Sequence, residues 1–136
     1  MGSSSSCLVF FAGPTTIVDA ARALSRSMHV VEDGEVLLVR WRETTEPELT
    51  VGFNADTYVA VESAELAQRK NIDAFNRFDR RFEVIIDDLE STLDEMNTLA
   101  EVQMTLQDLT RGYLVCSWND SVQAPYEPDG ADSTAS

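Results

Sequence analysis

Six consecutive apolar residues, Cys7 to Ala12, constrain this chain more than any other feature of it. The run is far shorter than the roughly 18 apolar residues of a membrane span, and Gly13-Pro14 closes it. It reads as a buried strand at the centre of a sheet. Thr16 follows as an N-cap with Asp19 three residues on, and Ile17, Ala20, Ala21 and Leu24 then form a helical stripe.

Short runs rich in β-branched and aromatic residues come next. Met28 to Val31 and Val36 to Trp41 flank Glu32-Asp33-Gly34-Glu35, whose Asp-Gly pair is a two-residue hairpin signal. Leu49 to Phe53 predicts a further strand, and Thr57 to Val61 another after the Asn54-Ala55-Asp56 turn. From Ser63 the period turns helical, through about Phe75 or Phe78, although Asn71 and Asn76 weaken its later part. Arg80 to Ile86 alternates, with Phe82, Val84 and Ile86 on one side, and predicts a strand.

The longest helix is expected from Asp87 or Asp88 to about Thr110, with Asp87 and Glu90 at capping-box spacing. Arg111 suits its negative end, and Gly112 is expected to take the left-handed position that stops it. Tyr113 to Trp118 predicts the last strand. The order is thus roughly β-α-β-β-β-β-α-β-α-β. That is an α+β fold: one mostly antiparallel sheet with helices packed on it, its other face open or partly covered. Residues 1–6 read as a flexible leader, 7–118 as one domain and 119–136 as a disordered acidic tail. A length of 136 residues suits a single domain.

Chemistry is hard to find in the chain. His29 is the only histidine, so a metal site would need carboxylates or thiols gathered by the fold, and no local spacing supports one. Cys7 and Cys116 each sit in an apolar run and read as buried free thiols, with a bridge open to them only if their strands are neighbours. Burial also argues against a Cys–His nucleophile. Gly-Pro-Thr-Thr at 13–16 opens a helix after a strand but lacks the repeated glycines and the lysine of a phosphate loop. Asp87-Asp88 reads as a helix start rather than an acid–base pair. No catalytic residue, cofactor or metal is expected.

Charge is the more informative quantity. The chain has 24 acidic and 10 basic residues, a net charge of −14 that repels nucleic acid and anionic lipid. Met1-Gly2-Ser3-Ser4-Ser5-Ser6 formally matches an acylation signal, but nothing basic follows to hold a membrane surface. With no secretory pattern either, the chain reads as cytoplasmic. On the long helix Glu90, Asp94, Glu101 and Asp108 fall within about 40° of one another and extend over about 27 Å. No Lys or Arg lies between Glu83 and Thr110 to pair with them. Arg69, Lys70, Arg77, Arg80 and Arg81 place half of all positive charge within thirteen residues just before.

Two ordinary explanations stand beside any functional one: a solvated helix face, and a basic cluster that neutralises it internally. The apolar residues of the long helix form two neighbouring faces, Leu89, Leu93, Met96 and Ala100 on one, Leu99, Val102, Leu106 and Leu109 on the other. Such a helix is buried on more than one side, by the core or by a second subunit. Trp41, Tyr58 and Trp118 are candidate interface anchors. The first functional expectation is a non-enzymatic acidic module that neutralises or regulates a basic protein, in the manner of an antidote or a nucleic-acid mimic, through Glu90, Asp94, Glu101 and Asp108. The alternatives are a structural or homodimeric component whose acidity serves solubility, and a small cation-assisted enzyme using carboxylates.

Overall fold

The structure, a computed structural model, describes residues 5–41, 49–86, 96–117 and 120–125. Strand β1 (Ser5–Phe11) is followed by α1 (Ile17–Leu24), β2 (Met28–Asp33), β3 (Val36–Trp41) and β4 (Leu49–Asn54). Helix α2 (Thr57–Lys70) and a 3-10 turn (Asp73–Arg77) lead into β5 (Arg80–Ile86), α3 (Met96–Thr110), β6 (Tyr113–Cys116) and β7 (Ser121–Gln123). All seven strands join one antiparallel sheet in the order β2-β3-β4-β5-β1-β6-β7. The chain is an α+β protein with helices on its sheet.

The apolar run that opens the chain forms a central strand, between β5 and β6. Its lack of alternation follows from what covers it. Cys7, Val9 and Phe11 point to one face, where they meet Leu24 of α1 and Leu99, Val102 and Leu106 of α3. Phe10 points to the other, against Val59, Leu66 and Ala67 of α2 and Phe75 of the 3-10 turn. A strand buried on both sides needs apolar residues at successive positions. The second face is only partly covered: towards β2 it leaves Val31 43% and Ile85 37% exposed.

Several expectations hold residue by residue. Asp19 accepts the Thr16 backbone N–H at 2.9 Å, so the start of α1 is capped as its spacing predicts. Phe82, Val84 and Ile86 are all fully buried on one side of β5.

Others are corrected. Thr57 to Val61 is not a strand but the start of α2. Its β-branched and aromatic side chains favour a strand locally, yet Val59, Ser63, Leu66 and Ala67 are buried with a helical period. An Asx turn, Asp56 N–H to Asn54 Oδ1 at 3.0 Å, sets the chain up for that helix. Ser63 accordingly does not begin the helix; it is buried within α2 and donates to the Phe75 carbonyl at 2.6 Å. The helix stops at Asn71, which takes the left-handed conformation with φ 58°, well before Phe75.

The hairpin turn is displaced by one residue. Asp33 and Val36 are paired, so the two central residues are Gly34-Glu35, with Gly34 at φ 67° where the first position demands it. At the end of α3, Arg111 rather than Gly112 carries the left-handed φ, 57°. Gly112 is required for a different reason, close approach of the Phe10 backbone. The described part of the last long helix begins at Met96, and the expected stretch from Asp87 to Glu95 lies outside the described residues. Residues 121–123, expected at the head of the tail, form β7 and make the observed order β-α-β-β-β-α-β-α-β-β.

Candidate functional site

Two of the four residues of the expected acidic stripe, Glu101 and Asp108, lie on α3. Leu99, Val102 and Leu106 turn that helix's apolar face to the sheet, which leaves Glu101 half-buried and Asp108 exposed. The two carboxylates line one hollow of about 510 Å³ between α1 and α3, with Ala23, Arg26, Ser27, Thr105 and Leu109. Glu90 and Asp94, the other two expected members, lie outside the described residues.

Glu101 and Asp108 are not equivalent. Glu101 Oε2 accepts from Ser27 Oγ at 2.8 Å and from Thr105 Oγ1 at 3.5 Å, so it ties the turn after α1 to α3. Asp108 makes no such tie among the described residues and presents its charge to solvent. Arg26 sets one positive charge into the same hollow. Chemically the hollow suits a cationic or hydrogen-bond-donating group rather than an anion.

Four of the five residues of the basic cluster pair away from the described part of this surface. Lys70 Nζ lies 2.9 Å from Asp120 Oδ2, and Arg69 3.7 Å from its other oxygen, so both hold the turn before β7. That pairing, Lys70 first, holds the Asp120 carboxyl below its ordinary range. Arg80 pairs with Asp79 at 3.0 Å. Arg81 is 7% exposed and is gripped by Glu62 of α2 and by Glu83 at 2.8 Å, with Phe10 and Tyr58 rings on its faces. Burial works against its charge, but the two carboxylates more than offset that and raise its pKa. Tyr58, the one candidate anchor whose side chain is described, is 45% exposed and serves this network. The side chains of Trp41 and Trp118 are outside the described residues.

A second hollow, of about 620 Å³, opens between α2 and the second face of the sheet. Leu8, Phe10, Leu66 and Val115 form its apolar floor, and Glu62, Glu65, Gln68 and Arg69 its rim. The sequence reading missed it because it placed the start of α2 in a strand. The signal was present in the spacing of Val59, Ser63 and Leu66.

Comparison with known protein families, curated proteins and solved structures finds no match to this chain. The site must therefore be read from its own geometry. Among the described residues no three His, Cys, Asp or Glu side chains converge in a way that could hold a metal. None of the described helices is long and apolar enough to cross a membrane. Cys7 and Cys116, far apart in sequence, stand opposite each other in β1 and β6.

Proposed function

We propose that this protein is a non-enzymatic acidic binding module of the cytoplasm that neutralises or regulates a basic protein partner. One observation carries the reading. Arg69, Lys70, Arg80 and Arg81 make their ion pairs with Asp120, Asp79, Glu62 and Glu83, none of which belongs to α3. For these four residues the internal neutralisation that would have made the acidic face ordinary is directed elsewhere, and Asp108 on α3 is left exposed to solvent or a partner. Eleven of the 24 acidic residues but only one of the ten basic residues fall outside the described residues, so those segments add to the same negative field. Long-range attraction of that kind raises association rates with basic surfaces and excludes acidic ones.

The test is a charge reversal at Glu90, Asp94, Glu101 and Asp108, with Asp108→Lys alone as the variant that spares the Ser27 contact. Basic partners are captured at low salt from the native host's lysate and eluted with a salt gradient. The fourfold variant is expected to lose about tenfold or more in association rate at low salt. Retention of the same partner with unchanged rate in both variants rejects the proposal.

A structural, homodimeric role has one observation in its favour. Val31, Leu38, Thr50 and Ile85 lie in register across the uncovered part of the sheet and reach the edge strand β2. Edge strands with apolar neighbours are places where a second copy adds. Sedimentation at rising salt, which screens repulsion between two acidic chains, is expected to show dimer on this reading. A monomeric mass throughout removes it.

A further inference from the structure

We propose that Cys7 and Cys116 form a reversible cross-strand disulfide site, addressed by small disulfide oxidants, that staples β6 to the central strand. The two residues are direct partners in the antiparallel β1–β6 pair. In the adjacent pair, Ser117 N–H donates to the Ser6 carbonyl at 3.0 Å, and Ser6 N–H donates to Ser117 Oγ at 3.0 Å. Inter-strand bonds alternate along such a ladder, so Cys7 and Cys116 occupy a non-hydrogen-bonded position. There the Cα atoms lie about 4.5 Å apart and the side chains are at their closest. A disulfide needs Cα atoms at roughly 4.4–6.8 Å.

The sulfurs themselves are gathered. Both side chains point to the face covered by α3, where the single amide of Gln103 reaches both: Nε2 is 3.5 Å from Cys7 Sγ and 4.0 Å from Cys116 Sγ. Their chemical roles differ. The hydrogen bond from Cys7 lowers the Cys116 thiol below its ordinary pKa, against the effect of burial, with Ser121 assisting. The same bond, with burial, raises Cys7. These directions accord with Cys116 as the attacking thiol and Cys7 as the resolving one, an order that rests on access.

Access favours the same order. Cys7 is completely buried, whereas Cys116 is 7% exposed and pairs on its far side with Ser121 of β7. That edge strand is only three residues long, so local opening of few ladder bonds uncovers this side of Cys116. The Cys116 thiolate attacks one sulfur of a small disulfide, forms a mixed disulfide and releases the first thiolate. Cys7 then loses its proton and attacks Cys116 Sγ, forming the internal bond and releasing the second thiolate. Two protein thiols lose two electrons and two protons, and the small disulfide leaves as two thiols. A transient, oxidant-dependent bond is the form that cytoplasmic disulfides usually take.

The test uses the full chain, without mutation, equilibrated in glutathione buffers of stepped oxidised-to-reduced ratio. Samples are quenched with an alkylating agent under denaturing conditions and weighed intact. The expected result is a single step from two alkylated thiols to none, with one linked peptide containing Cys7 and Cys116, reversed by reductant. The oxidised form should melt about 10 °C higher, since the bond closes a loop of more than 100 residues. Cys116→Ser should abolish the difference in melting between oxidising and reducing buffers, and Cys7→Ala should trap a stable glutathione adduct on Cys116. Two free thiols at every ratio, including in mild denaturant where access is unrestricted, overturn the proposal. So does a glutathione adduct on the unmutated chain that never resolves to the internal bond.

Discussion

Phe82→Ala is expected to lower the stability of the protein by about 4 kcal/mol, the range of buried phenylalanine truncations. Phe82 is fully buried on β5. Its ring stacks on Phe11 of the central strand, with centroids 5.2 Å apart and planes within 17°, and lies 5.5 Å from Phe53 of β4. One truncation therefore empties a space shared by three adjacent strands, under a core whose side chains cannot all move to fill it. Against a typical domain stability of about 5–15 kcal/mol, such a loss is a large fraction of the whole. Urea unfolding should show a lower midpoint at unchanged slope. Ile85→Ala is the internal comparison, because Ile85 is a neighbour on the same strand but 37% exposed. It should cost about 1 kcal/mol or less, as partly exposed aliphatic side chains do. Equal losses at the two positions would show that the aromatic stack is not where the sheet is anchored.

Gly112→Ala should have an effect of similar size from a quite different cause. A Cβ added there would sit 2.4 Å from the Phe10 carbonyl oxygen, 2.9 Å from Thr110 Oγ1 and 3.0 Å from Val9 Cγ1. The first of these is backbone of the central strand and cannot swing aside. Relief requires the α3–β6 connection to lift from β1, and this also strains what Gln107 holds. That buried side chain donates to the Gly112 carbonyl at 3.1 Å and to the Gln123 carbonyl at 3.0 Å, joining α3, the connection and β7. The expected cost is about 3 kcal/mol, at the upper end for overpacking, with amide exchange of β7 accelerated more than that of β3. A methyl tolerated within about 0.5 kcal/mol would mean that the connection is looser than its contacts imply.

Most of the sheet could be read from the chain because its strands carry their own signals. The alternation of Phe82, Val84 and Ile86, and the unbroken run at Cys7 to Phe11, correspond to burial on one face and on two. What misled was local preference set against tertiary context. Thr57, Tyr58, Val59 and Val61 are strand formers placed in a helix by the pocket that Val59 fills under α2. Gly112 looked like a left-handed cap because glycine usually is one, while Arg111 adopts that conformation instead. The spacing that groups Glu101 and Asp108 could not separate the two. Only the packing of α1 beside α3 shows that Glu101 is engaged by Ser27 whereas Asp108 is presented outwards. Nor could it pair Cys7 with Cys116, since strand order in space is not strand order in sequence.

That separation of spatial from sequential order has a consequence during synthesis. The central strand is made first, yet its two neighbours are β5 and β6, whose pairing residues begin at Arg80 and Tyr113. At translation speeds of about 5–20 residues per second, β1 waits on the order of 4–15 s before β5 has even been polymerised. Throughout that interval Leu8, Val9, Phe10 and Phe11 have no strand to pair with, while β2, β3 and β4 can already assemble as a local meander. Contacts that span the chain in this way make folding slow relative to sheets built from neighbours. The nascent chain thus passes through a stage in which its most aggregation-prone segment is also its least protected, and a holding chaperone has a defined place to act.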